Sequence, residues 1–555
     1  MDDISYQLDF VARSAWRLLA LQDTNAASPS HGCFHLAYWR DKTSEFADAR
    51  FQEAGAALGL LSLPRFDALR EEGILPSATI LRQAFASALG NWSRQQYPEG
   101  CFDEWYKGER GFAATEFTAI AYGLTRRYLK DDLSPDQMTV LDTTLRRAGL
   151  WLEFRHDKVK ANHEAAAAAA LALIWEATGD QRFRVAARAK IDHLLARQSA
   201  EGWFPEVGGM DLGYCSVLLD YVMLYVLVSG DTGPVAAMDR LMAFMLPHVQ
   251  PDLTVAAEAG LCLNPYLSRL GIGLLSKQGN ADAQSVVAAM RVRNAGQDGL
   301  LPILADDLRL CRWSYLPVLT DLLADGFLPA ADSAAVDIMS HYPQGWTIRP
   351  SSAIAAWHDG PTHIFLSAAG GGCLRVYHNE TLVVIDSGVD LSTADGETWV
   401  SQGYDSSRPI LVDADKQGVG MAAPMGKAAF FYPSFLARLI LRLGCSIPQV
   451  SYLLRALIDA YRLRRRTAIN QSAAPLAVAD APFSFTRAVR VDAETIVIRD
   501  QVLAKSPIAP ARLRVNLGHA VHDGATTYSF NGRLSIEKTL HRGPGPTLYI
   551  RHSHD

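Results

Sequence analysis

The hydrophobic pattern changes its period part-way along the chain, and this constrains the fold more than any single motif. Up to about residue 325, apolar residues recur at helical spacing. Candidate helices cover 6–21, 46–61, 78–94, 113–128, 135–153, 164–178, 181–197, 213–228 and 234–246. Turn signals separate several of them, at Gly179-Asp180, Gly230-Asp231 and Gly233-Pro234. Beyond about residue 338, short alternating or β-branched runs take over, at 362–367, 373–377, 381–385, 484–491, 495–499 and 513–517. Gly370-Gly371-Gly372, His378-Asn379 and Asp386-Ser387-Gly388 bound them. A chain of 555 residues is also too long for one ordinary core. The pattern therefore predicts an α+β multidomain protein, with a helical domain over 1–330 and an antiparallel β-sandwich over 345–555. The boundary is expected between 325 and 350, with 327–335 as the joint. Successive helices of similar length, without a strict repeat, predict a closed α/α toroid in preference to a solenoid.

One stretch interrupts the second domain. Residues 434–466 read as helix again, broken at Gly444 and Pro448, and carry Arg438, Arg442, Arg455, Arg462, Arg464, Arg465 and Arg466. Such an insertion either turns a basic face to water or docks on an anionic membrane or a protein partner.

Composition narrows the partners. A net charge of −6 provides no whole-chain basic field, which argues against nucleic acid. An acidic polymer would need a local cleft of cations and hydrogen-bond donors. Seven scattered cysteines, none in a CxxC pair, argue against a disulfide framework and a cysteine zinc site. The start, Met1-Asp2-Asp3-Ile4, is acidic where a signal peptide is basic, and 10–21 carries Arg13 and Arg17. No run reads as long and charge-free enough to span a bilayer. The expected location is cytoplasmic.

Three polar and aromatic loops stand at helix starts: 103–110 with Glu104, Trp105 and Tyr106; 160–164 with Asn162 and His163; and 203–214 with Trp203, Glu206, Asp211 and Tyr214. In a toroid they can gather at one face. Asn162 has a plain alternative as the N-cap of the Ala-rich helix that follows. His163, at a helix start with free N–H groups and positive dipole potential, suits an anion, or simply packs. Tyr214 follows a glycine-rich stretch that lets backbone approach a ligand closely; it also reads as an ordinary interfacial tyrosine.

Several of these segments resemble heparinase II/III-like polysaccharide lyases of bacterial exopolysaccharide clusters, a group similar to oligoalginate lyases. They are Gly32-Cys33-Phe34…Tyr38-Trp39, Ala49-Arg50-Phe51-Gln52-Glu53, Phe102-Asp103-Glu104-Trp105-Tyr106, Asn162-His163 and Gly202-Trp203-Phe204-Pro205-Glu206 through Tyr214. The resemblance implies an α/α toroid and a β-sandwich. It implies that Asn162 and His163 neutralise a uronate carboxylate and that Tyr214 is catalytic acid and base. Trp105, Tyr106, Glu104, Trp203, Glu206 and Asp211 are then expected to bind the glycan.

The chemistry calls for such groups. β-Elimination removes the proton α to a carboxylate and expels the glycosidic oxygen. Donors that hold the carboxylate stabilise the developing enediolate. A tyrosine moves the proton once neighbouring groups lower its pKa. The route needs no metal and no organic cofactor. The second domain departs from the family pattern, which places a His-rich turn before a strand. Here Ser367–Gly372 carries three glycines and no histidine, and His363 is the nearest substitute, with His358 and Arg375 also close. Three readings follow: a lyase on an acidic polysaccharide or oligosaccharide, a non-catalytic glycan-binding or scaffold protein of exopolysaccharide biosynthesis, and a glycoside hydrolase using paired carboxylates.

Overall fold

The computed structural model describes residues 2–207, 209–262, 264–292, 306–327, 338–402, 405, 407–413, 417–428, 434–465, 481–507, 511–519, 522–542 and 548–553. The expected joint at 327–335 lies, beyond Phe327, outside the described residues. So do Gly208 and Arg466.

The first part is helical: α1 (Asp3–Leu21), α2 (Leu36–Trp39), α3 (Glu53–Leu61), α4 (Asp67–Glu71), α5 (Ala78–Gln95), α6 (Phe112–Tyr128), α7 (Pro135–Leu152), α8 (Ala161–Thr178), α9 (Gln181–Leu195), α10 (Leu212–Ser229), α11 (Val235–Met245), α12 (Leu270–Lys277), α13 (Ala281–Val292), α14 (Asp307–Trp313) and α15 (Tyr315–Leu323). Two classes of helix follow from composition. α3, α6, α8 and α10 are apolar nearly all round and bury almost every residue, including the run Ala165–Ala170 of α8. α1, α5, α7 and α9 are amphipathic and bury one stripe. The buried helices form a succession. α3 packs on α6, α6 on α8, α8 on α10, α10 on α12 and α12 on α15, and α15 packs back on α3. α10 corrects one expectation, because its length and composition would suit a bilayer span; here it is the buried centre of the helical core.

The second part is built of strands: β1 (Gly345–Arg349), β2 (Ile354–Asp359), β3 (Thr362–Ser367), β4 (Cys373–His378), β5 (Thr381–Ser392), β6 (Thr398–Val400), β7 (Ile410–Val412), β8 (Gly418–Pro424), β9 (Gly426–Lys427), β10 (Phe483–Val491), β11 (Thr495–Ala504), β12 (Ala511–His519), β13 (His522–Phe530), β14 (Arg533–His541) and β15 (Leu548–Ser553). They pair antiparallel in two sheets. One runs β1-β2-β3-β4-β5-β12-β13, with β6 and β9 branching from β5; the other runs β15-β14-β11-β10-β8-β7. Alternation explains the burial: in β10 every second residue from Phe483 to Val491 points inward. Ile364, Leu374 and Val376 of the first sheet share one apolar cluster with Phe485, Val489, Ile498 and Leu534 of the second. Between β9 and β10 stand α16 (Phe435–Cys445) and α17 (Pro448–Arg465).

Segment 246–262 ties the two parts together. Tyr377 Oη donates to Gln250 Oε1 at 2.6 Å, Ser367 Oγ to the Glu258 carbonyl at 2.8 Å, and Arg375 pairs with Glu258 at 3.0 Å.

Candidate active site

The loops before α6, α8 and α10 lie together. Lys160 and Glu206 form an isolated β-bridge, and Asn162 Nδ2 donates to Glu206 Oε2 at 2.7 Å. Phe117 of α6 joins two more members: the Arg50 guanidinium lies 4.1 Å from its ring centroid and the His163 ring 5.5 Å, edge-on. Arg50 pairs with Glu53 at 2.6 Å and with Glu104 at 3.8 Å; Arg312 pairs with Glu104 at 2.9 Å and Asp48 at 2.7 Å. The result is one charge-dense floor assembled from five segments.

Each expected site residue has a definite place. Trp105 is 58% exposed and lies 5.5 Å from the Arg312 guanidinium, so its ring is open to a sugar face. Tyr106 faces the α16 side, where it lines a cavity of about 330 Å³ with Glu45, Lys107, Phe435 and Arg438. Trp203 bonds Ser351 Oγ at 3.2 Å, at the seam with the sheets. Tyr214 is part-buried on the first turn of α10. Burial raises its phenol pKa, and Cys262, Glu206 and Asp211 raise it further; Arg50 acts in the opposite sense.

Other placements correct the sequence reading. Asn162 is not an N-cap: α8 begins at Ala161 with Lys160 as its cap. The Asn162 side chain is 0% exposed, and its Nδ2 is committed to Glu206. Asp211 does cap α10, accepting from Tyr214 N at 3.1 Å and Cys262 N at 2.9 Å, and is buried. It shapes the loop and offers no surface to a glycan. Glu104 is likewise buried and held by the two arginines. Gly213 leaves room for Asn264, whose carbonyl oxygen would lie 2.2 Å from an added Cβ; the close approach there is within the protein.

His363 is the largest correction. It sits on β3 fully buried, between the rings of Tyr342 and Tyr377 at 5.1 and 6.2 Å. Burial, with His358 nearby, pushes its imidazole down to about 3, so it is neutral and enclosed. Arg375 is spent on Glu258. The glycine turn beside it answers to backbone demands: Gly371 and Gly372 have φ of +83° and +86°, and a Cβ on Gly371 would lie 2.1 Å from the Ser401 carbonyl oxygen.

The structure adds members that the sequence reading did not single out. Asp157 Oδ2 stands 3.1 Å from His163 Nδ1, and Glu116 Oε1 stands 3.4 Å from it. Burial and the neighbouring Asp157 and Glu164 hold Glu116 well above the usual carboxyl range. Burial lowers the His163 pKa, and Lys160 lowers it further, so the imidazole is neutral at pH 7. Burial pushes Glu206 up to about 8, so it keeps its proton there. Lys160 is the part-exposed cation of the group, and its field reaches Glu104, Asp157, His163, Glu206 and Asp211. Trp313, part-exposed, has Arg50 5.7 Å from its ring. Arg50 and Lys160 were visible within the quoted motifs; Trp313 and Glu116 carry no local signal.

Among the described residues, six buried polar atoms here find no hydrogen-bond partner: Glu104 Oε2, Glu116 Oε1 and Oε2, Asn162 Oδ1, Glu206 Oε1 and Arg312 Nε. Buried polar atoms are normally paired, so such a concentration singles this floor out as the candidate site. Among the described residues, the group with metal-donor spacing is a different one: His156, Glu164 and His193. The Lys190 ammonium already stands there, 3.6 Å from Glu164 and 3.5 Å from His156.

Comparison with solved structures decides the fold. Chondroitin AC lyase of Streptomyces coelicolor A3, in complex with chondroitin sulphate, superposes with a TM-score of 0.54 at 11% identity, over 99% of this chain and 76% of that one. The chain has the fold of a polysaccharide lyase. A tyrosine-to-alanine mutant of the same Streptomyces enzyme gives 0.51 at 10% identity, over 98% of this chain and 71% of that one. Heparinase III gives 0.46 at 12% identity, over 87% and 72%. No protein-family model matches the sequence, and no curated protein matches it. That likeness agrees with the expectation drawn from the motifs.

Proposed function

We propose that the protein is a carbon–oxygen lyase that β-eliminates an acidic, uronate-containing polysaccharide or oligosaccharide, of the kind handled in exopolysaccharide metabolism. We infer further that the helical succession is a closed α/α toroid and that the two sheets form a β-sandwich. The observation that carries the functional reading is the gathering of Lys160, His163, Glu206 and Tyr214 about the buried Arg50, which shares the Phe117 ring with His163 and whose charge reaches Tyr214. A neutral imidazole and a protonated phenol are a base and an acid in their working forms at neutral pH.

The roles differ from those implied by the resemblance. Lys160 meets the substrate carboxylate, and the protonated Glu206 carboxyl, oriented by Asn162, donates a hydrogen bond to it. His163 takes the proton α to the carboxylate. The electron pair of that C–H bond forms the new C=C bond, the C–O bond to the leaving sugar breaks, and the Tyr214 phenol protonates the leaving oxygen. Trp105 and Trp313 offer faces for the flanking sugar rings.

The test is incubation with a panel of uronate-containing polysaccharides, chondroitin sulphate included. An unsaturated uronate product, absorbing in the ultraviolet, is expected. Reducing ends without that absorbance would establish hydrolysis and sink the lyase reading. A second reading, glycan binding without cleavage, is favoured by one observation: the Ser367–Gly372 turn brings no imidazole, and His363 is walled in. Saturable glycan binding with neither product would decide for it.

A further inference from the structure

The apolar surface of the protein is concentrated in one place. Of the seventeen large apolar side chains that the described residues expose, eight lie between 435 and 457: Phe435, Leu436, Leu439, Ile440, Leu443, Ile447, Leu453 and Leu457. Phe435 is 81% exposed, and Leu436 and Leu443 are each 63% exposed. On α16, positions 435, 436, 439, 440 and 443 form one continuous stripe at 100° per residue. Arg438 and Arg442 follow along one edge of it. A soluble monomer rarely leaves such a stripe open without a use for it.

The hairpin is held rigidly from behind. α16 and α17 meet at Gly444, where an added Cβ would lie 2.8 Å from Leu454. α17 is bolted to the loop that carries Trp105, where Ser451 Oγ donates to the Gly108 carbonyl at 2.7 Å and Arg455 pairs with Glu109 at 2.9 Å, and to α7, where Trp151 Nε1 donates to Tyr452 Oη at 3.1 Å. Arg442 of α16 pairs with Glu45 of the helical part. The open stripe is therefore presented outward by a structure tied to the candidate site.

Charge selects the occupant. Residues 434–466 hold seven arginines against one acid, Asp459, within a chain of net charge −6, and the excess stays positive after Arg442 and Arg455 are set against Glu45 and Glu109. We propose that this hairpin docks the protein on the surface of an anionic lipid bilayer, α16 lying in the interface with its apolar stripe among the acyl chains and Arg438 at the headgroups. A neutral apolar partner would not need the arginines, and a second copy of an acidic chain meeting through two like-charged basic hairpins would repel. Docked this way, the Trp105 loop stands next to the membrane, suited to a glycan anchored in it or emerging from it.

The experiment is vesicle co-sedimentation of the full chain, with phosphatidylcholine vesicles and with vesicles containing phosphatidylglycerol. Binding to the anionic vesicles is expected, weakened by salt. The triple variant Leu436→Asp/Ile440→Asp/Leu443→Asp changes only exposed side chains, so it should keep the wild-type Tm and lose sedimentation. Arg438→Glu should weaken partitioning on the order of tenfold or more. Absence of sedimentation at low salt overturns the proposal, as does binding that the triple variant leaves intact. Equal binding to both vesicle types removes the anionic part of it. A dimer that the triple variant dissolves, without vesicle binding, assigns the stripe to a second copy and overturns it too.

Discussion

Each half of the molecule buries a cluster of charge, and the two are built on opposite principles. In the sheets, Arg487 and Lys538 face Asp386 and Asp500, all four buried. Arg487 Nε bonds Asp500 at 2.6 Å and its Nη2 bonds Asp386 at 2.9 Å; Lys538 bonds both carboxylates. Two cations balance two anions, and no polar side-chain atom of the four is left unpaired. Against its burial, Arg487 and Lys538 hold Asp500 below the usual carboxylate range. In the helical half, Arg50 and Arg312 face Asp48, Glu53 and Glu104, so the anions outnumber the cations. Burial pushes Glu53 up to about 7, and Glu104 Oε2 and Arg312 Nε stay unpaired. A closed, balanced cluster locks strands in place. An unbalanced one, beside Trp105 and close to His163, leaves buried polar atoms without partners among the described residues, and the proposed site is built on it.

Breaking the balanced cluster should cost most. Lys538→Met leaves two carboxylates sharing one arginine in a dry interior and should destabilise by about 3–5 kcal/mol, read from chemical denaturation. A loss under about 1 kcal/mol would mean that the cluster is wet or loose. On the other side, Tyr214→Phe should cut elimination by on the order of 10²–10⁴-fold while glycan binding stays within a few-fold. An equal loss of binding would make Tyr214 a packing residue.

His363 sharpens the contrast through pH. Its folded pKa, about 3, lies below the unfolded value of about 6.5. Between those values the unfolded chain binds the extra proton, so the wild type loses stability as pH falls from about 6.5 towards 3. His363→Phe removes that loss. The variant should gain on the wild type by about 1.4 kcal/mol per pH unit below 6.5, and the gap should vanish above pH 7. A gap independent of pH would show that the ring is already solvated or charged. The smallest effect is expected for Glu104→Gln. Arg50 keeps Glu53 and Arg312 keeps Asp48 when this carboxylate is neutralised, so stability should fall by only about 1–2 kcal/mol, the worth of one charged hydrogen bond. A collapse comparable to Lys538→Met would erase the distinction between the two clusters.

Much of the element pattern was legible in the chain. The helices at 78–95, 135–152, 181–195 and 212–229 and strand β3 fall within a few residues of the positions that periodicity marks, because one-sided burial imprints its period on the sequence. The stretch from 270 to 323 is different. Its short helices α12, α14 and α15 are embedded between neighbours, so their apolar residues show no clear stripe and were not picked out. β1 and β2 escaped for a related reason: β2 is buried on both faces and does not alternate.

For the site, the chain by itself determined the three loops and the residue types at helix starts, since caps, glycines and aromatic clusters are local signals. It also determined the basic amphipathic insertion, visible as arginines spaced among leucines. Only the tertiary structure decided what those residues do. It enclosed Asn162 and gave it to Glu206, made Asp211 a cap, walled in His363 between two tyrosines, and brought Arg50, Arg312, Glu116 and Trp313 to His163 from segments up to about 150 residues away. The physical reason is that burial and the field of distant charges set protonation and reach. Neither is a property of neighbours in sequence; both arise when packed helices bring remote side chains into one dry, low-dielectric floor.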